Sequence, residues 1–243
     1  MPTQTPLTDA INALTTYANT VTSASDTTLS DAVATLAAGY GGGGGVDINE
    51  IADGSFSGAI TLTATNIQAQ RFKGMTGITS ITAPNVGTLR EQIFSSCTGL
   101  QSISFANALS VNSTQQFLGC TSLTSVDLPK LTTPGGNMFQ GCTNLEVVDF
   151  PKVTRMNVSR LFYGCTKLKT LILRSTSVVS LSNDVFTNTP FGSGGSGGTV
   201  YIPKSLYDAL GTGTNDYTAT ANWSTLYTGG TVTFAKIEGS IYE

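Results

Sequence analysis

The sequence predicts an α/β solenoid, a right-handed superhelix with one short strand per coil, short N-terminal helices and a mixed β-rich C-terminal cap. Three observations predict it. Phenylalanine recurs at Phe72, Phe94, Phe117, Phe139, Phe162 and Phe186, in steps of 22, 23, 22, 23 and 24 residues. Four of these open the same phrase: Phe94-Ser-Ser-Cys97-Thr-Gly-Leu100, Phe117-Leu-Gly-Cys120-Thr-Ser-Leu123, Phe139-Gln-Gly-Cys142-Thr-Asn-Leu145 and Phe162-Tyr-Gly-Cys165-Thr-Lys-Leu168. After each phrase, apolar residues alternate as on one face of a strand: Ile81 and Ala83, Ile103 and Phe105, Val126 and Leu128, Val148 and Phe150, Leu171 and Leu173. A unit this short cannot bury its own apolar face, so the units must stack into one core.

The elements follow in chain order. Over residues 1–40, Leu7, Ile11, Leu14, Ala18 and Val21 keep the 4-3-4-3 spacing of a helical seam, and Ser25 and Asp26 open a second helix that Gly39 can end. Such short helices are marginal alone, which makes this segment an assembly or anchor module, pairing with itself or a partner, or a simple helical hairpin. The glycines at 41–45 form a linker, and residues 46–192 form the solenoid with its N-terminal cap strand. Its first rung, Phe72-Lys-Gly-Met75-Thr-Gly-Ile78, has Met in the Cys place, and its last, Phe186-Thr-Asn-Thr189-Pro-Phe191, is degenerate. A second apolar position per coil is read at Ile67, Val86, Leu109, Leu131, Val153 and Val178. A Gly/Ser loop occupies 193–198, and 199–243 is a capping segment with strands at Thr199–Pro203 and Val232–Phe234 and a short helix between. Trp223 is read as part of that cap, with a stacked-sugar platform as the alternative.

Cys97, Cys120, Cys142 and Cys165 fall one per coil, as do Phe94, Phe117, Phe139 and Phe162. Both sets read as inward ladders of the core. A straight column of thiols cannot converge into a tetrahedral zinc site, and its parallel Cβ vectors are badly aimed for disulfides. Packing, with the thiol capping a turn carbonyl, is the preferred reading over disulfide or metal.

Composition narrows function. Charged residues make up 11% of the 243, with a net charge of −3 and no basic run among aromatics, which argues against a nucleic-acid partner. No apolar stretch reaches the length of a membrane span. There is no histidine, so a Ser-His-Asp triad or a Cys-His metal site is impossible. The first residues lack a basic start and an apolar core, so export by an ordinary cleaved signal is not expected. No cofactor and no enzymatic activity are expected.

Outward strand positions mark a candidate ligand face. One column runs Ser80, Ser102, Ser125, Val147, Thr170, and its neighbour runs Thr82, Ser104, Asp127, Asp149, Ile172. Ser102, Ser104, Ser125, Asp127, Asp149 and Thr170 are the candidate contacts for a polar ligand such as a glycan, or for a host-surface protein. Asp127 and Asp149 are expected on adjacent coils about 5 Å apart, with Lys130 and Lys152 offsetting their repulsion. Two carboxylates do not specify a hard cation, and on a flat face neither is set up as a glycosidase acid.

The stretches Leu123-Thr-Ser-Val126-Asp-Leu128-Pro129-Lys130 and Leu145-Glu-Val-Val148-Asp-Phe150-Pro151-Lys152 resemble the leucine-rich repeat of the bacterial BspA-like class, which implies recognition or adhesion. The N-terminal wording from Leu14 to Tyr40, and the closing Val200-Tyr-Ile-Pro203 and Asn222-Trp-Ser-Thr-Leu226, resemble segments of phage and prophage structural proteins of gut Firmicutes. Together these resemblances imply a virion protein: residues 1–40 would join other virion proteins or form a homo-oligomer, and the solenoid would display a host- or glycan-binding face. A BspA-like adhesin on the bacterial cell surface is the alternative, and a polysaccharide-degrading enzyme comes third.

Overall fold

The turns come first, because they set the coil. In the computed structural model, which describes residues 56–62, 65–67, 69–111, 113–211, 217, 223–228 and 231–237, each Phe-x-x-Cys phrase is a chain of tight turns rather than a helix. Cys97 N–H donates to the Phe94 carbonyl at 3.2 Å, and Leu100 N–H to the Cys97 carbonyl at 3.1 Å. A left-handed residue interrupts any helix two places after the Phe: Gly74, Ser96, Gly119, Gly141, Gly164 and Asn188 all have φ between 58° and 77°. The turns then bond from coil to coil. Phe94 N–H donates to the Gln116 carbonyl at 2.9 Å, Phe117 N–H to Met138 at 3.0 Å and Phe139 N–H to Leu161 at 3.0 Å.

The expectations for residues 1–45, including Leu7, Ile11, Leu14, Ala18 and Val21, lie outside the described residues.

Opposite the turns stand the strands, all parallel. β1 (Gly58–Thr61), β2 (Ile78–Thr82), β4 (Ser102–Ser104) and β6 (Ser125–Asp127) form one sheet in that order. A second four-stranded sheet runs β7 (Val147–Phe150), β9 (Thr170–Leu173), β11 (Gly198–Ile202) and β12 (Val232–Lys236). Two-residue strands line the remaining side: β3 (Thr88–Leu89) pairs β5 (Ser110–Val111), and β8 (Arg155–Met156) pairs β10 (Ser180–Leu181). The repeats therefore build a solenoid-like stack, with its apolar core between turns and strands.

That core is one cluster from Phe56 to Phe234. Down its centre the rings of Phe72, Phe94, Phe117, Phe139, Phe162 and Phe186 stack at 5.2, 5.6, 5.7, 5.8 and 5.8 Å, nearly coplanar in orientation. Offset stacking of this kind adds to the burial energy of the rings.

After the last coil come α1 (Lys204–Asp208), α2 (Trp223–Thr228) and the β11–β12 pair. Trp223 is fully buried, lies 6.0 Å from the Phe186 ring, and donates its indole N–H to the Val179 carbonyl at 2.7 Å. Val179 N–H in turn donates to the Tyr217 hydroxyl at 3.2 Å. A buried indole cannot offer a face to a sugar, so the platform alternative for Trp223 is excluded.

Three apolar assignments need correction. Leu109 is 54% exposed, because Ala108 takes the inward place three residues after Phe105, as Leu131 does after Leu128. Val179, not Val178, is the fully buried residue of its pair. Val126 is only half-buried, whereas its counterparts Ile81, Ile103, Val148 and Leu171 are buried, for a reason that lies in the sheet.

Candidate interaction face

The outward positions of the strands form two columns whose register the pairing defines. Ala59 faces Ser80, Ser80 faces Ser102, and Ser102 faces Ser125; beside them run Thr61, Thr82, Ser104 and Asp127. In the second sheet Val147 faces Thr170 and Thr170 faces Thr199, while Asp149, Ile172 and Tyr201 align next to them. Strand alternation produces this order, since every second side chain points away from the core.

The six candidate residues therefore lie on one face but not on one sheet. Ser102, Ser104, Ser125 and Asp127 belong to the first sheet, and Asp149 and Thr170 to the second. β6 and β7 are neighbours in the stack, yet no strand ladder joins them. The carboxylates expected side by side are thus on opposite edges of a split, and each is held from its own side. Asp127 accepts the Ser104 hydroxyl at 2.7 Å. Asp149 accepts two hydrogen bonds from Arg174, at 3.1 and 2.5 Å. Lysine does not fill the expected role: Lys130 donates to the Asn107 side chain at 2.6 Å, and the cation at Asp149 is Arg174 rather than Lys152. The ladder is thus interrupted between the two coils that carry these carboxylates. The opened edge also explains why Val126 is partly exposed.

Sequence reading missed the apolar half of the face. Val147 is 46% and Tyr201 36% exposed, with half-buried Ile172 between Asp149 and Tyr201 in the same column. Val147 and Ile172 stand in the outward columns, but a choice of contacts by hydroxyl content leaves them out. Tyr201 falls in the segment 199–243 that reads as a cap, although Val200-Tyr-Ile carries the same in-out alternation.

The thiols are held by one repeated bond. Cys97, Cys120, Cys142 and Cys165 are buried and donate to the carbonyls of Phe72, Phe94, Phe117 and Phe139, at 2.9, 3.1, 3.3 and 3.0 Å. Burial pushes the Cys97 thiol up to about 11 and Cys165 up to about 12, and raises Cys120 and Cys142 well above the ordinary thiol value. These are protonated packing groups, not nucleophiles. Among the described residues, no three His, Cys, Asp or Glu side chains are grouped to hold a metal ion, and no helix is long and apolar enough to cross a membrane.

An all-parallel stack of 22- to 24-residue coils with a Phe/Cys turn face is a leucine-rich repeat architecture. The BspA type leucine rich repeat region matches residues 65–192 in six copies, over half the chain, and the protein belongs to that family. One solved structure agrees on the fold. A leucine-rich repeat protein from Bacteroides ovatus is similar at a TM-score of 0.50 and 22% identity, over 74% of this chain and 42% of its own. The T. pallidum leucine rich repeat protein reaches a TM-score of 0.43 at 17% identity, over 62% of this chain and 80% of that one. A leucine rich cell surface protein from Faecalibacterium prausnitzii gives 0.43 at 17%, over 63% and 50%. The chain thus spans less than half the length of the Bacteroides protein. No curated protein matches it.

Proposed function

We propose that this chain is a non-enzymatic recognition protein of the bacterial surface, and that its outward strand face binds a host-surface protein or its glycans. The observation that carries the reading is the face itself. It has a hydroxyl-rich half around Ser102, Ser104 and Ser125, and an apolar half with exposed Val147 and Tyr201. Flat, mixed surfaces of this kind suit macromolecular contact, with an aromatic as anchor, rather than enclosure of a small substrate.

Family membership supports a cell-surface setting over the virion. The segments that resemble phage structural proteins lie within residues 1–40 and after residue 199, and the family match at 65–192 includes neither. A hydrolytic role for the two carboxylates is disfavoured by the Arg174 clamp on Asp149, which holds that group as an ion pair.

The test has two arms. Intact source bacteria and purified phage particles would be probed with antibody and protease. Protease-sensitive signal on cells is expected, and signal confined to particles would return the protein to the virion. In the second arm, the full chain is titrated against immobilised host-surface glycoproteins, before and after enzymatic deglycosylation. A double change of Val147→Asp and Tyr201→Ser should weaken binding at least about tenfold with the fold unaltered. Binding that ignores this change would overturn the assignment of the face.

A further inference from the structure

The split between the strand sheets opens a cleft of about 320 Å³ on that face. Val126, Pro129 and Pro151 give it apolar walls, and Asp127, Asp149 and Arg174 are its charged groups. Asp149 and Arg174 neutralise each other through their two-point contact. Asp127 is offset by a hydroxyl, Ser104, and among the described residues its carboxylate pairs with no cation. The cleft therefore carries one uncompensated negative charge above an apolar floor.

We propose that this cleft receives a lysine side chain of a partner protein, its methylene stem along Val126, Pro129 and Pro151 and its ammonium on Asp127. The proposal rests on the strand face being the recognition surface, and names the chemistry of one contact there. Lysine fits better than the alternatives for stated reasons. An anion would find Arg174 already engaged by Asp149. A hard cation needs about six oxygens, and no such group is present among the described residues. Arginine's planar fork asks for both carboxylate oxygens, but one oxygen of Asp127 already accepts Ser104. A compact ammonium on a flexible four-carbon stem needs only the other, and its stem covers apolar wall while its head stays charged. The chain's net charge of −3 favours approach of a basic partner.

The probe is a capped heptapeptide with one lysine among alanine and valine, compared with its norleucine and arginine versions. Each is titrated up to ~10 mM into the isotope-labelled full chain and followed by NMR, a range suited to the weak affinity of a single contact. The lysine peptide should shift Val126 and the amides of β6 and β7, and bind at least fivefold more tightly than the norleucine and arginine versions. Asp127→Asn should erase the preference, and Asp127→Ser should do the same with the wild-type spectrum elsewhere. Equal binding of lysine and norleucine peptides, retained preference in both variants, or no shift at the cleft would overturn the site. Tighter binding of the arginine version would overturn the assignment to lysine. If the peptides miss the cleft while Val147→Asp with Tyr201→Ser still weakens glycoprotein binding, the lysine contact fails and the face stands. If neither responds, both readings fail.

Discussion

Two residues after each spine phenylalanine, the backbone turns left-handed, and five of the six positions there carry the residue types that accept it most easily, Gly or Asn. Ser96 is the exception, with φ 63° at an exposed site. Exchanging Ser96 for Gly should stabilise the protein by about 1 kcal/mol, read as a higher urea midpoint, because a Cβ in this region costs ~1–2 kcal/mol before glycine's entropy is subtracted. Gln116 is a second exception. The residues preceding four of the other spine rings, Ile93, Met138, Leu161 and Val185, are buried and apolar, with part-exposed Arg71 before Phe72 at the open first coil, while the Oε1 of fully buried Gln116 accepts no hydrogen bond. Gln116→Met should gain about 1 kcal/mol in the same measurement, since it removes an orphaned acceptor at nearly constant shape.

The cysteine ladder ties this scale to pH. An unfolded thiol loses its proton near pH 9, whereas the buried Cys97 keeps its proton to about 11. Between those values the unfolded chain binds fewer protons than the native one. The thiols' contribution is therefore complete below pH 9 and falls as pH rises, by up to about 1.4 kcal/mol per pH unit for each thiol. The melting temperature should hold between pH 7 and 8.5 and drop steeply above 9. Replacing all four by Ala should lower the plateau and flatten the drop.

Among the elements, the break between β6 and β7 interrupts the regular stacking of the longer strands. It separates two four-stranded sheets, while the turn side stays bonded across the same coils through Phe117 N–H to the Met138 carbonyl at 3.0 Å and Gly119 N–H to the Gln140 carbonyl at 2.7 Å. Amide exchange measures this directly. The β6 and β7 amides that point across the split should exchange at least ~10-fold faster than those of β4 and β9, which are paired on both sides. Equal protection would mean that the ladder is continuous in solution.

For the molecule as a whole, stability depends on covering the last coil. A coil touches mainly its neighbours, so an uncovered end exposes core that nothing else can bury. Trp223 closes the ring stack and anchors to Val179, so Trp223→Ala should cost about 3–5 kcal/mol by thermal unfolding. The loss of exchange protection should begin at β11 and β12 and fade toward β2. Trp223→Phe should retain part of the stability but not the indole bond.

The solenoid, its coil length, the strand alternation and the inward Phe and Cys ladders were legible in the linear chain, because each depends on residues a few places apart repeated at a fixed period. Leu109 is ambiguous in the chain because two adjacent apolar residues, Ala108 and Leu109, compete for one inward position, and only the offset from Phe105 settles which wins. The outward columns were also readable, since parallel register follows from the period. What lay beyond the chain's reading was how those columns interact. Arg174 meets Asp149 across 25 residues, Ser104 meets Asp127 across 23, and Tyr201 joins a face begun in another coil. Whether a ladder continues or splits is a balance between backbone pairing and the electrostatics of stacked side chains. That balance exists only once the coils are laid on one another.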